Sequence, residues 1–131
     1  MVKMLMKSLL SKLLNTPIVI EEGTSGIWKY RKWSNGTAEC WGIQTIHPKF
    51  SGAYGAVYLN AAGTISFTFP AGLFTEAPVV SSLVDLKGGV GGTSMQNLSA
   101  AGYALYIYNF TQYDASSRDV LLAQYAIGKW K

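Results

Sequence analysis

The sequence predicts an all-β fold: an antiparallel β-sandwich of about six main strands, preceded by a short N-terminal α-helix. Three observations carry this. Short apolar segments with alternating pattern recur along the chain, and no helical pattern separates them. Of 131 residues, 14 are glycine and 13% are aromatic, as short strands joined by tight turns require. Charged residues make up only 14% and hydrophobic ones 49%, which excludes a disordered chain and fits a single domain with a small core. The expected division is a helix over 1–16 and a β-sandwich over 17–131.

The helix comes first. In MVKMLMKSLLSKLLNTP, Val2, Leu5, Met6, Leu9, Leu10, Leu13 and Leu14 share one side at about 100° per residue. Lys3, Lys7 and Lys12 interrupt the apolar run, so it is neither a membrane span nor a signal-peptide core. Pro17 ends it. A helix this short is marginal alone in water and must dock on something. The 4-3-4 spacing of Val2, Met6, Leu9 and Leu13 favours a collar joining identical chains. Packing on the chain's own sheet and a basic helix lying on a membrane surface are the alternatives.

The stretch GIWKYRKWSNGTAECWG (26–42) holds three tryptophans, a tyrosine and three cations. Asn35-Gly36 predicts a two-residue type I′ hairpin, which places Lys32 opposite Glu39, Arg31 opposite Cys40 and Tyr30 opposite Trp41. Trp28, Tyr30, Trp41 and Ile43 then form an aromatic core face. Lys29, Arg31 and Trp33 lie on the outer face, where they form one candidate binding surface. Further strands are expected at Ala56–Asn60, Thr64–Phe69, Pro78–Leu83, Tyr103–Phe110 and Val120–Trp130. Lys87–Ser94 (KGGVGGTS) and Thr111–Asp119 (TQYDASSRD) are expected loops.

Little in the chain points to catalysis or metal binding. The glycine loop lacks the order of a phosphate-binding motif and sits between strands. His47 is the sole histidine, no CxxC or HxxxH pair exists, and no metal or cofactor is expected. No nucleophile-elbow pattern surrounds a serine. A carboxylate pair such as Asp114 and Asp119 is the one enzymatic option, and the expectation is a non-enzyme. The single cysteine, Cys40, permits no internal disulfide. Net charge is +4, but its cations are too dispersed for a nucleic-acid footprint and favour at most an anionic polymer such as a cell-wall glycopolymer.

Two family resemblances follow from motifs. From about Ile65 to Trp130 the chain resembles the H-type lectin domain, through Phe69–Phe74 with Ala77-Pro78-Val79-Val80, then Asn97-Leu98-Ser99-Ala100-Ala101-Gly102-Tyr103-Ala104-Leu105, then Tyr125-Ala126-Ile127-Gly128. IEEGTSGIWKYRKWSNGTAECWG and the closing AIGKWK resemble C-terminal domains of phage and prophage tail proteins of Gram-positive bacteria. The lectin resemblance implies a trimerising sandwich with sugar sites in end loops. The tail-protein resemblance implies a homotrimeric tip contacting a host surface, in the company of other tail proteins and located in the virion. Carried to residues, the loop before the last strand supplies Tyr113 as a platform for a sugar ring, and Asp114, Arg118 and Asp119 as partners for hydroxyls. The expected function is saccharide recognition on the bacterial surface, without membrane insertion. The alternatives are a fibre-capping module that binds no ligand and a cell-wall polysaccharide depolymerase.

Overall fold

The computed structural model describes residues 2–14, 16–113 and 118–131. One helix, α1 (Val2–Leu14), precedes ten strands: β1 (Val19–Ser25), β2 (Trp28–Trp33), β3 (Thr37–Ile46), β4 (Phe50–Tyr54), β5 (Val57–Asn60), β6 (Ile65–Thr68), β7 (Val79–Asp85), β8 (Gly91–Gln96), β9 (Gly102–Asn109) and β10 (Val120–Lys129). They form two antiparallel sheets. The first runs β1-β2-β3-β10-β7; in the second, β9 pairs with β8 on one side and with β5 and β6 on the other, and β4 adds to β5. The expected sandwich is present, with short strands β1, β4 and β8 in addition to those legible in the sequence.

Alternation places the core between the layers. Trp28, Cys40, Val120, Leu122 and Ala126 face inward from the first sheet, and Phe67, Tyr103, Leu105 and Ile107 from the second. Trp28 packs on Phe67 and Phe69, and its indole N–H donates to the Thr68 carbonyl at 2.7 Å, which ties β2 to the opposite layer. Burial, with a contribution from the neighbouring Glu39 charge, pushes the Cys40 thiol up to about 12.

The hairpin between β2 and β3 corrects the sequence reading. Tyr30 pairs with Cys40, Arg31 with Glu39 and Lys32 with Ala38. The register is shifted by one residue. Gly36 has φ 93° while Asn35 does not enter the positive region, so the connection is a three-residue loop rather than a type I′ turn. Its first residue is held on the neighbouring chain segment: the Ser34 N–H donates to the Ile18 carbonyl at 2.8 Å, and the Ile18 N–H donates to the Ser34 hydroxyl at 3.0 Å. A one-residue slip inverts the faces of the second strand relative to the first. Trp41 and Ile43 therefore lie outside, beside Arg31, and Ala38 and Cys40 lie inside.

A second correction concerns the glycine-rich stretch 87–94. Its second half, from Gly91, is strand β8, paired with β9 from Gly91–Asn109 to Gln96–Ala104. Helix α1 has its contacts with β1, and Val2, Leu5, Met6 and Leu9 along it remain exposed.

Candidate functional site

The segments 47–49, 86–90, 110–113 and 118–119 gather at one end of the sandwich, because β3 ends at Ile46 opposite Val120, where β10 begins. Tyr113 is anchored there by a two-way backbone pair with Phe50, Phe50 N–H to Tyr113 O at 2.7 Å and Tyr113 N–H to Phe50 O at 2.9 Å. The Arg118 guanidinium lies 3.8 Å from the centre of the Tyr113 ring. The two line a pocket of about 180 Å³ together with Gly89, Val90, Asn109 and Thr111.

The pocket wall is held by one hydrogen bond across its two loops and one within the second. The Phe110 N–H donates to the Val90 carbonyl at 2.9 Å, and the buried Asn109 side chain accepts from the Thr111 N–H at 3.1 Å. A Cβ on Gly89 would lie 2.4 Å from the Asn109 amide nitrogen, so the close approach of the glycine loop depends on the missing side chain. The glycine-rich segment thus contributes a wall to the site rather than a phosphate cradle.

Of the four residues expected in this loop, Tyr113 and Arg118 are brought together. Asp119 is engaged elsewhere: its carboxylate lies 2.6 Å from the His47 Nε2. Asp114 lies outside the described residues. No carboxylate among the described residues pairs with Arg118.

The second candidate surface, Lys29, Arg31 and Trp33, is built differently. Lys29 is exposed, and Arg31 and Trp33 are half-buried. Arg31 lies 4.7 Å from the Trp41 ring centre and 5.9 Å from that of Trp33, and its Nε is 2.8 Å from the Glu39 carboxylate. Glu39, only 12% exposed, also accepts from the Trp33 indole N–H at 3.3 Å and from the Tyr125 hydroxyl. The hydrogen bond to Glu39, reinforced by burial, pushes the Tyr125 phenol up to about 12. The expected cationic surface is therefore a compensated cluster. Glu39, Trp41 and Tyr125 were not visible as members because the slipped register had set Glu39 against Lys32 and Trp41 in the core.

Beside this cluster the same outer face carries Ile43, Val79 and Leu83, exposed at 67%, 73% and 67%, with Ile127 among them. The β3–β10–β7 register sets Ile43, Ala123 and Leu83 in one row and Glu39, Ile127 and Val79 in another. No helix of the described residues is long and apolar enough to cross a membrane. The described residues hold no group of three or more His, Cys, Asp or Glu arranged for a metal ion.

No family model and no curated protein matches the chain. Among solved structures, it is similar to an N-truncated R1-type pyocin tail fibre, at 12% identity and TM-score 0.58, over 92% of this chain and 94% of that one. It is also similar to a P. aeruginosa R1 pyocin fibre fragment comprising C-terminal residues 323–701, at 12% identity and TM-score 0.56. That match covers 90% of this chain and 30% of the fragment. The H-type lectin resemblance is not confirmed by these matches, and they give no support to a Gram-positive source. At this identity the likeness is one of fold, and the chain has the fold of pyocin tail-fibre domains.

Proposed function

We propose that the chain is a non-enzymatic receptor-binding domain of a phage or phage-like tail, acting as a homotrimer that attaches to bacterial surface saccharide. The observation that carries this reading is the Tyr113–Arg118 stack at the loop end, a cation on an aromatic ring lining a small pocket. Arg118 offers several N–H donors in a fixed fork and, among the described residues, no carboxylate occupies them. Thr111 adds a polar group beside it, and Tyr113 and Val90 add apolar surface. Such a set suits a polyhydroxylated ligand bearing an anionic group, the chemistry of a charged cell-surface glycan. The tail-fibre fold supports the same reading.

The trimeric part of the reading is supported by unpartnered apolar surface: the Ile43–Val79–Leu83 face and the exposed row along α1. Association through α1 and this face would cover it. Deleting residues 1–16 and weighing the assembly in solution tests this; a trimer that dissociates assigns the collar to α1, and one that persists assigns it to the sheet face. A chain that is monomeric both before and after the deletion contradicts the trimer.

The same apolar surfaces favour the second reading, a module that only knits and caps a fibre. Binding to cells separates the two, since the capping module has no affinity for them. Release of soluble product from cell-wall polysaccharide would instead identify a depolymerase. The His47–Asp119 pair is half of a nucleophile-activating arrangement, but among the described residues no hydroxyl bonds His47.

A further inference from the structure

A second cleft lies away from the loop end, toward the opposite end of the sandwich, where Glu21 pairs with Lys32 and Lys32 with Ala38. It measures about 280 Å³ and is formed between the β1–β2 ribbon and the loop that follows β6. Its position follows from the sequence. The β1–β2 ribbon is at the edge of the first sheet, and the loop from Pro70 to Leu73 faces it.

Both walls are fixed in advance. The Tyr30 ring lies across Gly23 of the neighbouring strand, where a Cβ would come within 2.8 Å of the Tyr30 hydroxyl oxygen. The opposite wall is a turn closed by the Leu73 N–H on the Pro70 carbonyl at 3.1 Å, with the Leu73 side chain buried in the core. The Trp28 indole bond to Thr68 ties the ribbon to the strand that leads into this loop.

The cleft is polar where the walls meet. Glu21 and Lys32 lie 3.5 Å apart and both border it, with side chains 37% and 20% exposed. Ser25 and Tyr30 also border it, and their hydroxyls make no hydrogen bond with any described residue. Ala71, exposed on the turn that Pro70 and Leu73 anchor, supplies apolar surface. The two charges compensate each other, so the cleft has no net attraction for an ion. It offers one strong acceptor, one strong donor, two hydroxyls and an aromatic ring within the space of a single sugar unit.

We infer that this cleft is a second saccharide subsite, one that takes an uncharged pyranose unit. The apolar face of the sugar lies against Tyr30 and Ala71, and adjacent hydroxyls bridge the Glu21 carboxylate and the Lys32 ammonium. The inference rests on the saccharide-binding reading for its ligand class but not on the Tyr113–Arg118 site. The two sites divide the ligand by charge: Arg118 takes an anionic group, and the β1–β2 cleft takes a neutral ring.

An NMR titration of the isotopically labelled chain tests this. The probes are the methyl glycosides of glucose, N-acetylglucosamine, mannose and rhamnose at millimolar concentration, with inorganic phosphate as the anionic control. At least one glycoside is expected to shift the amides of Ser25, Tyr30, Lys32 and Leu73, with Arg118 unmoved. Glu21→Ala weakens that response about tenfold, as loss of a charge-assisted hydrogen bond should. Lys32→Gln, which removes the ammonium from beside Glu21 and from over the Trp130 ring, gives a second check if Glu21→Ala disturbs the edge strand. No shift in the cleft with any of the four glycosides, or a shift indifferent to both substitutions, overturns the subsite. A silent cleft in a chain that still binds cells through Arg118 leaves the receptor-binding reading standing. A responsive cleft in a chain that ignores cells does the reverse.

Discussion

Two arginines of this chain lie on aromatic rings, and one difference in their surroundings separates what each can do. Arg31 rests between Trp33 and Trp41 and is paired at 2.8 Å with Glu39, which is almost buried and also holds Trp33 and Tyr125. Its charge is compensated inside the sheet face. Arg118 rests on Tyr113 at 3.8 Å with no carboxylate among the described residues, because the adjacent Asp119 is turned to His47. The same cation–aromatic contact is a brace in a strand ladder and an open donor set on a loop. A stack alone does not mark a binding site; a cation with no carboxylate partner among the described residues does.

The comparison can be broken most forcefully at Glu39. Glu39→Ala leaves Arg31 without its counter-charge and the Trp33 indole and the Tyr125 hydroxyl without their acceptor, and it is expected to destabilise the fold by about 1–3 kcal/mol in urea unfolding. Arg118→Ala, at an exposed loop, is expected to cost less than about 0.5 kcal/mol in the same experiment. Equal losses at the two positions would erase the distinction. The next effect is on binding. Arg118→Ala is expected to lower retention on host cells by about tenfold or more, the worth of a charge-assisted contact, while Lys29→Ala on the compensated face changes it less than about twofold.

Alkaline pH sharpens the comparison further. In the folded chain Tyr125 keeps its proton up to about 12, whereas an unperturbed phenol loses it at 10.0. Above pH 10 the unfolded state therefore binds fewer protons at this group than the folded one. The group's contribution is complete below pH 10 and is lost as pH rises toward 12. Tyr125→Phe should flatten that part of the stability profile, with Arg118→Ala leaving it unchanged. A profile that Tyr125→Phe does not alter would mean that Glu39 does not hold the phenol.

The alternation of Tyr103–Phe110 and the presence of an N-terminal helix were legible because each rests on a local period that the structure keeps. The β2–β3 register was not. Asn35-Gly36 fits a two-residue turn, and the choice of a three-residue loop depends on Ser34 being held by Ile18, a contact 16 residues away. That single residue moved Trp41 from core to surface and hid the Glu39 cluster. Strand β8 was invisible because Gly91 and Gly92 carry no side-chain pattern; a Cβ on Gly92 would meet the Tyr108 hydroxyl at 2.8 Å. At the candidate site, Tyr113 and Arg118 share one loop and were legible as neighbours. The loss of Asp119 to His47, 72 residues distant, depends on the folded chain bringing two loops to one end.

The central claim is that Arg118 on Tyr113 is a receptor contact. Its most direct test is binding of the fluorescently labelled chain to intact bacterial cells, across a panel that includes the natural host, beside a Tyr113→Ala/Arg118→Ala double mutant of equal oligomeric state. The account predicts that the parent binds and the double mutant does not. Equal binding by both would discard the site, and binding by neither would contradict the receptor-binding function itself.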